Sequence, residues 1–256
     1  MADAPAATDA TAGVAALDIS DSPAPPAEMT ARGTHVKPDG PPPQVKLSEL
    51  TKGYVETLQE KLNAVALSDK GVPMQPFLET AYVLTAIFDA ISGMGMVKSD
   101  MVGNADKMWK HLADTAKQGK TIEELMDAEI KDGGDKAKSK EGTVCLAMLW
   151  LKRALKLVEG ILKEMLANPT KKLTECVQTA YDGSLRKAHN FVMRGTFTVG
   201  VKAAPNRETF MKKLFPASSD PEAELKKLGE KDVPKLTLIL TTIETYQTKN
   251  GIEKYP

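Results

Sequence analysis

Asp100, Asn104 and Lys107, in the string SDMVGNADKM, are the residues of this chain whose types and spacing could do the most chemistry. Offsets of four and three residues put the three heads on one face of a helix, within roughly 60° of each other at about 100° per residue. A carboxylate, an amide and an ammonium side by side offer both acceptors and donors to a polyhydroxylated ligand. Two later segments each carry a candidate partner, Trp150 in AMLWLKRAL and His189 in LRKAHNFV. An indole supplies a flat face on which a sugar ring can stack and an N–H to donate. Arg153, close after Trp150, is a candidate anion contact or ion-pair residue. The set suggests a polar-ligand site, with a sugar as one candidate.

Each residue also has a plainer reading. Any solvated helix face shows polar residues at i, i+4 and i+7. Trp150 sits in an aliphatic run and could be core, and His189 could be a satisfied core histidine. Two details favour the ligand reading: Asn is a poor helix former, and Gly103 beside it costs about 1 kcal/mol more. Enzyme signatures are missing: the chain has no GxSxG elbow, P-loop, HExxH or CxxC. Asp100 and His189 could form an acid/base pair, but no Ser or Cys lies in a nucleophile motif. The chain is expected to be neither an enzyme nor dependent on a metal or cofactor.

The elements that must position these groups read as helices. SELTKGYVETLQEKLNAVAL has Leu50, Tyr54, Leu58 and Leu62 on one stripe. Pro73 to Ser92 is a second helix, and after the Gly93–Gly95 break the Asp100 helix continues through Trp109 and Leu112. TIEELMDAEI is capped by Thr121, with Glu124 completing a capping box. DGGDKAKSKEG reads as a polar, Lys-rich loop. Thr143 to Ala167 is the most apolar helix and ends at Asn168-Pro169. Leu173 to about Lys202 reads as one long helix stopped before Pro205. Glu208 to Phe215 and Pro221 to Leu228 look short, and Val233 to about Asn250 closes the fold. LTLILTTI alternates only weakly, so the class is all-α. Residues 1 to 46, rich in Ala and Pro, read as a disordered tail, and residues 47 to 256 as a single helical domain.

Composition narrows the classes further. A 42% hydrophobic share supports a packed core, and 34 basic against 34 acidic side chains give no net charge. Nothing demands a nucleic-acid partner. Cys145 and Cys176 make no disulfide framework and fit reduced thiols. No apolar run reaches the length of about 18 residues that spans a bilayer, and the N-terminus lacks a signal-peptide pattern. The expectation is a soluble, cytoplasmic protein.

Taken together, these segments resemble the glycolipid transfer protein family. PFLETAYVLTAIFDAISGMGMVKSDMVGNADK is similar to the family's opening helices, with the Asp-x3-Asn-x2-Lys motif intact. LAMLWLKRALKLV is close to its Trp helix. AYDGSLRKAHNFVMRGTFTVGVKAAP matches its His helix, and YQTKNGIEKYP has the spacing of its C-terminal tyrosine segment. The likeness runs from about Val72 to Tyr255. It implies a two-layer helical sandwich of about eight helices that carries one glycosphingolipid, such as a glucosyl- or galactosylceramide, between membranes. Asp100 and Asn104 would hydrogen-bond the first sugar, Asp100 also taking the ceramide amide N–H. Lys107 would contact sugar hydroxyls, Trp150 would stack under the ring, and His189 would donate to the amide carbonyl. Phe88, Val97, Leu146 and Phe197 would line an apolar tunnel for the chains.

Two positions depart from the family pattern. Phe191 stands where a membrane-dipping Trp is common, and Lys202 where an interfacial Tyr is common. Both remain membrane-contact candidates, Phe by apolar insertion and Lys by meeting lipid phosphates. The resemblance thus implies a cytoplasmic protein that touches membranes transiently. Competing readings are a ceramide-1-phosphate carrier, for which Lys107 and Arg153 would supply cations, and a non-transferring glycolipid sensor or adaptor with a protein partner. The neutral Asn104 favours sugar over phosphate.

Overall fold

The computed structural model describes residues 45–114, 117 and 119–255; the tail expected at residues 1–46 falls almost wholly outside them. Among the described residues there are nine α-helices, one more than expected, joined by short 3-10 turns, and no strand beyond isolated bridges. They are α1 (Tyr54–Ala64), α2 (Met74–Thr85), α3 (Gly95–Trp109), α4 (Ile122–Gly133), α5 (Val144–Ala167), α6 (Leu173–Gly183), α7 (Phe191–Lys202), α8 (Arg207–Leu214) and α9 (Pro221–Lys249). None is long and apolar enough to cross a membrane.

The apolar stripe of α5 decides the packing. Leu149, Leu151, Leu155, Leu157, Val158 and Ile161 are all fully buried, each contributing about 1.5–3 kcal/mol by leaving water. Burial on that scale needs neighbours on several sides, and α5 packs against α3, α4, α6 and α9. A circuit closes around the core: α5 meets α3, α3 meets α2, α2 meets α1, α1 meets α9, and α9 returns to α5. Cys145 and Cys176 are both buried and unbridged.

Local chemistry fixes the helix ends that matter for the site. The capping box at Thr121 and Glu124 is present. Thr143 caps α5 by accepting from Leu146 N at 3.2 Å, and the Glu129 carboxylate of α4 accepts from Val144 N and Cys145 N at 2.7 and 3.0 Å. Two carboxylate oxygens thus satisfy amides at the positive end of α5. The preceding turn needs Gly142 at φ 84°, and it presents Glu141 beside the start of the helix.

Three sequence expectations are corrected. The single helix from Leu173 to Lys202 is two, because Gly183 and Ser184 end α6 and Asn190 starts α7 afresh. Ser184 turns its hydroxyl back to Ala180 O at 2.7 Å, and the Asn190 side chain accepts from Met193 N at 2.9 Å; both residues compete with helical hydrogen bonding. Conversely, Pro221–Leu228 and Val233–Asn250 are one helix, α9, running through Pro234. Proline costs it one backbone bond, but Leu225, Leu228, Val233, Leu236 and Ile239 stay buried along its length and tertiary burial wins. The Lys-rich loop is partly ordered as well, with a 3-10 turn over Gly134–Ser139.

Candidate functional site

Asp100, Asn104 and Lys107 project from α3 toward α5, and Trp150 comes from α5. All four line one half-enclosed cavity of about 210 Å³, shared with Leu146, Glu141 and Met193. Asn104 is buried, with Nδ2 donating to Asp100 O at 3.0 Å and, more weakly, to Asp100 Oδ2 at 3.4 Å. Packing around Asp100 withdraws its carboxyl from water and raises its pKa, while the Lys107 ammonium opposes the rise. Lys107 Nζ is held 2.6 Å from Glu141 Oε1, a carboxylate whose side chain is 73% exposed. Two carboxylates and one ammonium therefore face this cavity.

A second cavity of about 380 Å³ opens next to it, with Asp100 and Met193 common to both walls. Its other walls include Val97, Ala154, Leu185, Val192 and Phe197, and a single imidazole, His189. Burial and, secondarily, Arg194 lower the His189 pKa, so the ring stays neutral. Its Nδ1 lies 3.0 Å from the Tyr181 hydroxyl. Burial raises the Tyr181 pKa, so the phenol keeps its proton and can donate to Nδ1. That assignment leaves Nε2 carrying the imidazole proton, a donor available to a ligand carbonyl.

Aromatic stacking sets these groups in register. The Tyr181 ring stacks on Phe197 at 3.7 Å between centroids, and Trp150 stacks on His189 at 6.2 Å with 27° between planes. The break at Gly183–Asn190 makes this possible, because an unbroken helix would not bring His189 back over Tyr181.

The α7 helix is the loosest wall. Phe197 and Val201 are buried, whereas Phe191, Val192 and Val199 are 89%, 72% and 70% exposed, and Met96 across the cavity mouth is 67% exposed. Where α7 meets the loop before α3, backbones touch: a Cβ on Gly200 would lie 2.7 Å from Gly93 O, and Gly93 itself has φ 85°. Lys202 is exposed at the end of α7.

Not every expected residue shares the site. Val97 and Phe197 line the apolar cavity and Leu146 the polar one, while Phe88 is a core residue and a wall of neither. Arg153 turns away: its Nη2 donates to Glu253 O at 3.1 Å and Tyr255 O at 2.9 Å, holding the C-terminal segment. Sequence reasoning missed Glu141 and Tyr181. Glu141 sits in a polar loop with no periodicity to mark it. Tyr181, eight residues before His189, would lie about 12 Å from it along an unbroken helix, so no periodic signal marks the pair.

The family profile described as Glycolipid transfer protein (GLTP) matches residues 72–216, more than half of the chain. The chain belongs to the glycolipid transfer protein family. Among relatives, human Pleckstrin homology domain-containing family A member 8 is 29% identical over 213 residues, 80% of this chain and 40% of that protein. The chain therefore spans less than half the length of that relative. A Glycolipid transfer protein of Aureobasidium melanogenum is 27% identical over 174 residues, covering 67% of this chain and 83% of the relative. A solved structure described as showing how FAPP2 selects simple glycosphingolipids using the GLTP-fold superposes with a TM-score of 0.68 at 26% identity. That match covers 78% of this chain and 97% of the other.

Proposed function

We propose that this protein moves glycosphingolipids of the glucosyl- or galactosylceramide type between membranes without changing them chemically, working in the cytoplasm and touching bilayers transiently. The observation that carries the reading is the sharing of Asp100 between the two cavities. A glycosylceramide places a sugar, an amide and two alkyl chains in that order, and Asp100 stands where the sugar gives way to the amide. Asp100 and Asn104 take hydroxyls of the first sugar, and Asp100 also takes the amide N–H. Lys107 donates to sugar oxygens, Trp150 stacks under the ring, and His189 Nε2 donates to the amide carbonyl. The chains enter past Val97 and Phe197.

The energetics explain why a carrier is needed. A ceramide buries about 30 methylenes in a bilayer, and each costs about 0.8 kcal/mol to expose, on the order of 20 kcal/mol in all. A protein that encloses the chains replaces exposure by burial. The apolar cavity of about 380 Å³ is at the low end of volumes that hold even a drug-sized ligand, so chain entry requires the cavity to widen. Of its walls, α7 is the one with the least buried surface to give up. Phe191, with Val192 and Met96 beside the mouth, inserts into the bilayer, and Lys202 meets lipid phosphates.

Headgroup choice falls to the polar cavity, since an unmatched buried hydrogen-bonding group costs about 1–3 kcal/mol. Glu141 and Asp100 outnumber Lys107 there, and Arg153 does not line this cavity. Both facts argue against a phosphate headgroup. The test is vesicle-to-vesicle transfer of glucosylceramide and ceramide-1-phosphate by the wild type and Asp100→Val. Glucosylceramide transfer by the wild type and its loss in the variant, with unchanged helical content, is expected; normal transfer by Asp100→Val defeats the assignment, and lipid returned with altered mass defeats the non-enzymatic reading.

A further inference from the structure

A third cavity, of about 490 Å³, lies between α5, the end of α6, α9 and the C-terminal segment, and none of the five headgroup residues lines it. Its cations come from three separate stretches of sequence: Lys152, Arg153 and Lys156 from α5, Lys187 from the turn before His189, and Lys254 near the C-terminus. Glu244 and Glu253 are the carboxylates, leaving an excess of three positive charges.

Lys152 is buried and Arg153 and Lys156 are partly buried, so the arrangement is not a solvated face. The Lys152 side chain is 1% exposed and paired with Glu253. Burial draws its pKa down to about 8 while Glu244 opposes the fall. Lys156 is paired with Glu244. Arg153 Nη2 donates to two backbone carbonyls and lies 3.8 Å from Glu253 Oε2, while its Nη1 is buried with no hydrogen-bond partner among the described residues. A guanidinium N–H without an acceptor in a cavity of excess positive charge is an unmet demand for an anion. Lys187 and Lys254 are exposed and stand ready to complete the coordination.

We propose that this cavity binds a phosphate-class anion, held by Arg153 with Lys187 and Lys254, at a site distinct from the one that holds the sugar. Arg153 links the two places. Its guanidinium carbon lies 5.2 Å from the centroid of the Trp150 ring, the same indole that walls the headgroup cavity. An anion bound here fixes the guanidinium against that ring and, through the carbonyls of Glu253 and Tyr255, anchors the C-terminal segment. Lys187 stands two residues before His189 and four before Phe191, so an anionic phospholipid of the docked bilayer and a free phosphate compound both match this chemistry.

The experiment uses the full chain and two probes, with Lys187→Ala/Lys254→Ala as the variant. Both lysines are exposed, and an unchanged Tm certifies the fold. Calorimetric titration with inorganic phosphate, at ionic strength held constant with chloride, is expected to give one saturable site that the variant weakens about tenfold or more. Flotation with phosphatidylcholine vesicles, with and without phosphatidic acid, separates the sources. Extra binding to the acidic vesicles that the variant loses assigns the site to a lipid headgroup; saturable phosphate binding with no such preference assigns it to a free anion. No saturable phosphate binding above the chloride control, or equal binding by the variant, overturns the proposal. Neither readout depends on glycolipid transfer, so this site can fail while the carrier function stands, and the reverse.

Discussion

Phe191 offers the sharpest quantitative test of the proposed membrane contact. Its side chain is 89% exposed at the first position of α7, and Val192, Met193 and Met96 surround the mouth of the apolar cavity beside it. Burying a phenylalanine fully is worth about 1.5–3 kcal/mol, and nearly all of that is unspent in the folded protein. Phe191→Ala should therefore lose about 2 kcal/mol of insertion energy, or about thirty-fold in partition onto a bilayer. The folded state loses almost nothing, because a surface change away from packing stays within about 0.5 kcal/mol. Sedimentation with neutral phosphatidylcholine vesicles reads the partition without an electrostatic contribution, and thermal unfolding checks the fold. Leu238, 56% exposed on α9 and lining neither the polar nor the apolar cavity, is the control. If Phe191→Ala partitions like the wild type, or Leu238→Ala loses as much, the mouth of the cavity is not the face that docks.

Four further outcomes follow from the geometry. Glu141→Lys, which replaces a carboxylate facing Lys107 with a second cation, should raise ceramide-1-phosphate transfer relative to glucosylceramide by about tenfold, measured in one competition assay; an unchanged ratio removes Glu141 from headgroup selection. Glu253→Ala strands the buried Lys152 ammonium and should cost about 3–5 kcal/mol in denaturant unfolding, whereas Lys152→Met/Glu253→Gln should recover most of it. His189 has a folded pKa below its unfolded value of 6.5, so the unfolded chain takes up the proton first. Stability should fall as pH drops below 6.5 and level off below the folded pKa, and a His189→Gln variant should lack that component of the pH profile. Gly200→Ala drives a methyl to 2.7 Å from Gly93 O, so it should destabilise by about 1–3 kcal/mol, read as a lowered Tm.

The residues that were legible in sequence share one property: each sits where a helix's periodicity or composition makes a departure visible. Asn104 beside Gly103 interrupts good helix formers, and a Cβ on Gly103 would meet nothing within 4 Å, so protein packing does not explain that glycine. The break at Gly183–Asn190 was hidden because its residues are individually tolerable in a helix. Ser184 ends α6 and Asn190 starts α7 by competing for backbone groups, and the tilted ring contact of His189 with Tyr181 adds a tertiary term. The continuity of α9 was hidden for the opposite reason, since Pro234 argues locally for a stop that buried neighbours on both sides override.

Glu141 and the basic cavity were invisible on different grounds. Their chemistry is spread over segments with no common period: Lys107 meets a carboxylate 34 residues away, and Arg153 meets carbonyls 100 and 102 residues on. These pairings also explain why two polar cavities in one fold should choose opposite charges. The cavity that Trp150 walls keeps its only lysine paired to an acid, which suits a neutral sugar. Arg153, lying against the same indole, donates from Nη2 to two neutral carbonyls, lies 3.8 Å from the Glu253 carboxylate and leaves Nη1 without an acceptor. A neutral ligand at one cavity and an anion at the other can then be held at once. If so, saturating phosphate should leave glucosylceramide binding intact or strengthen it, and mutual exclusion of the two would show that Trp150 and Arg153 cannot serve both sites.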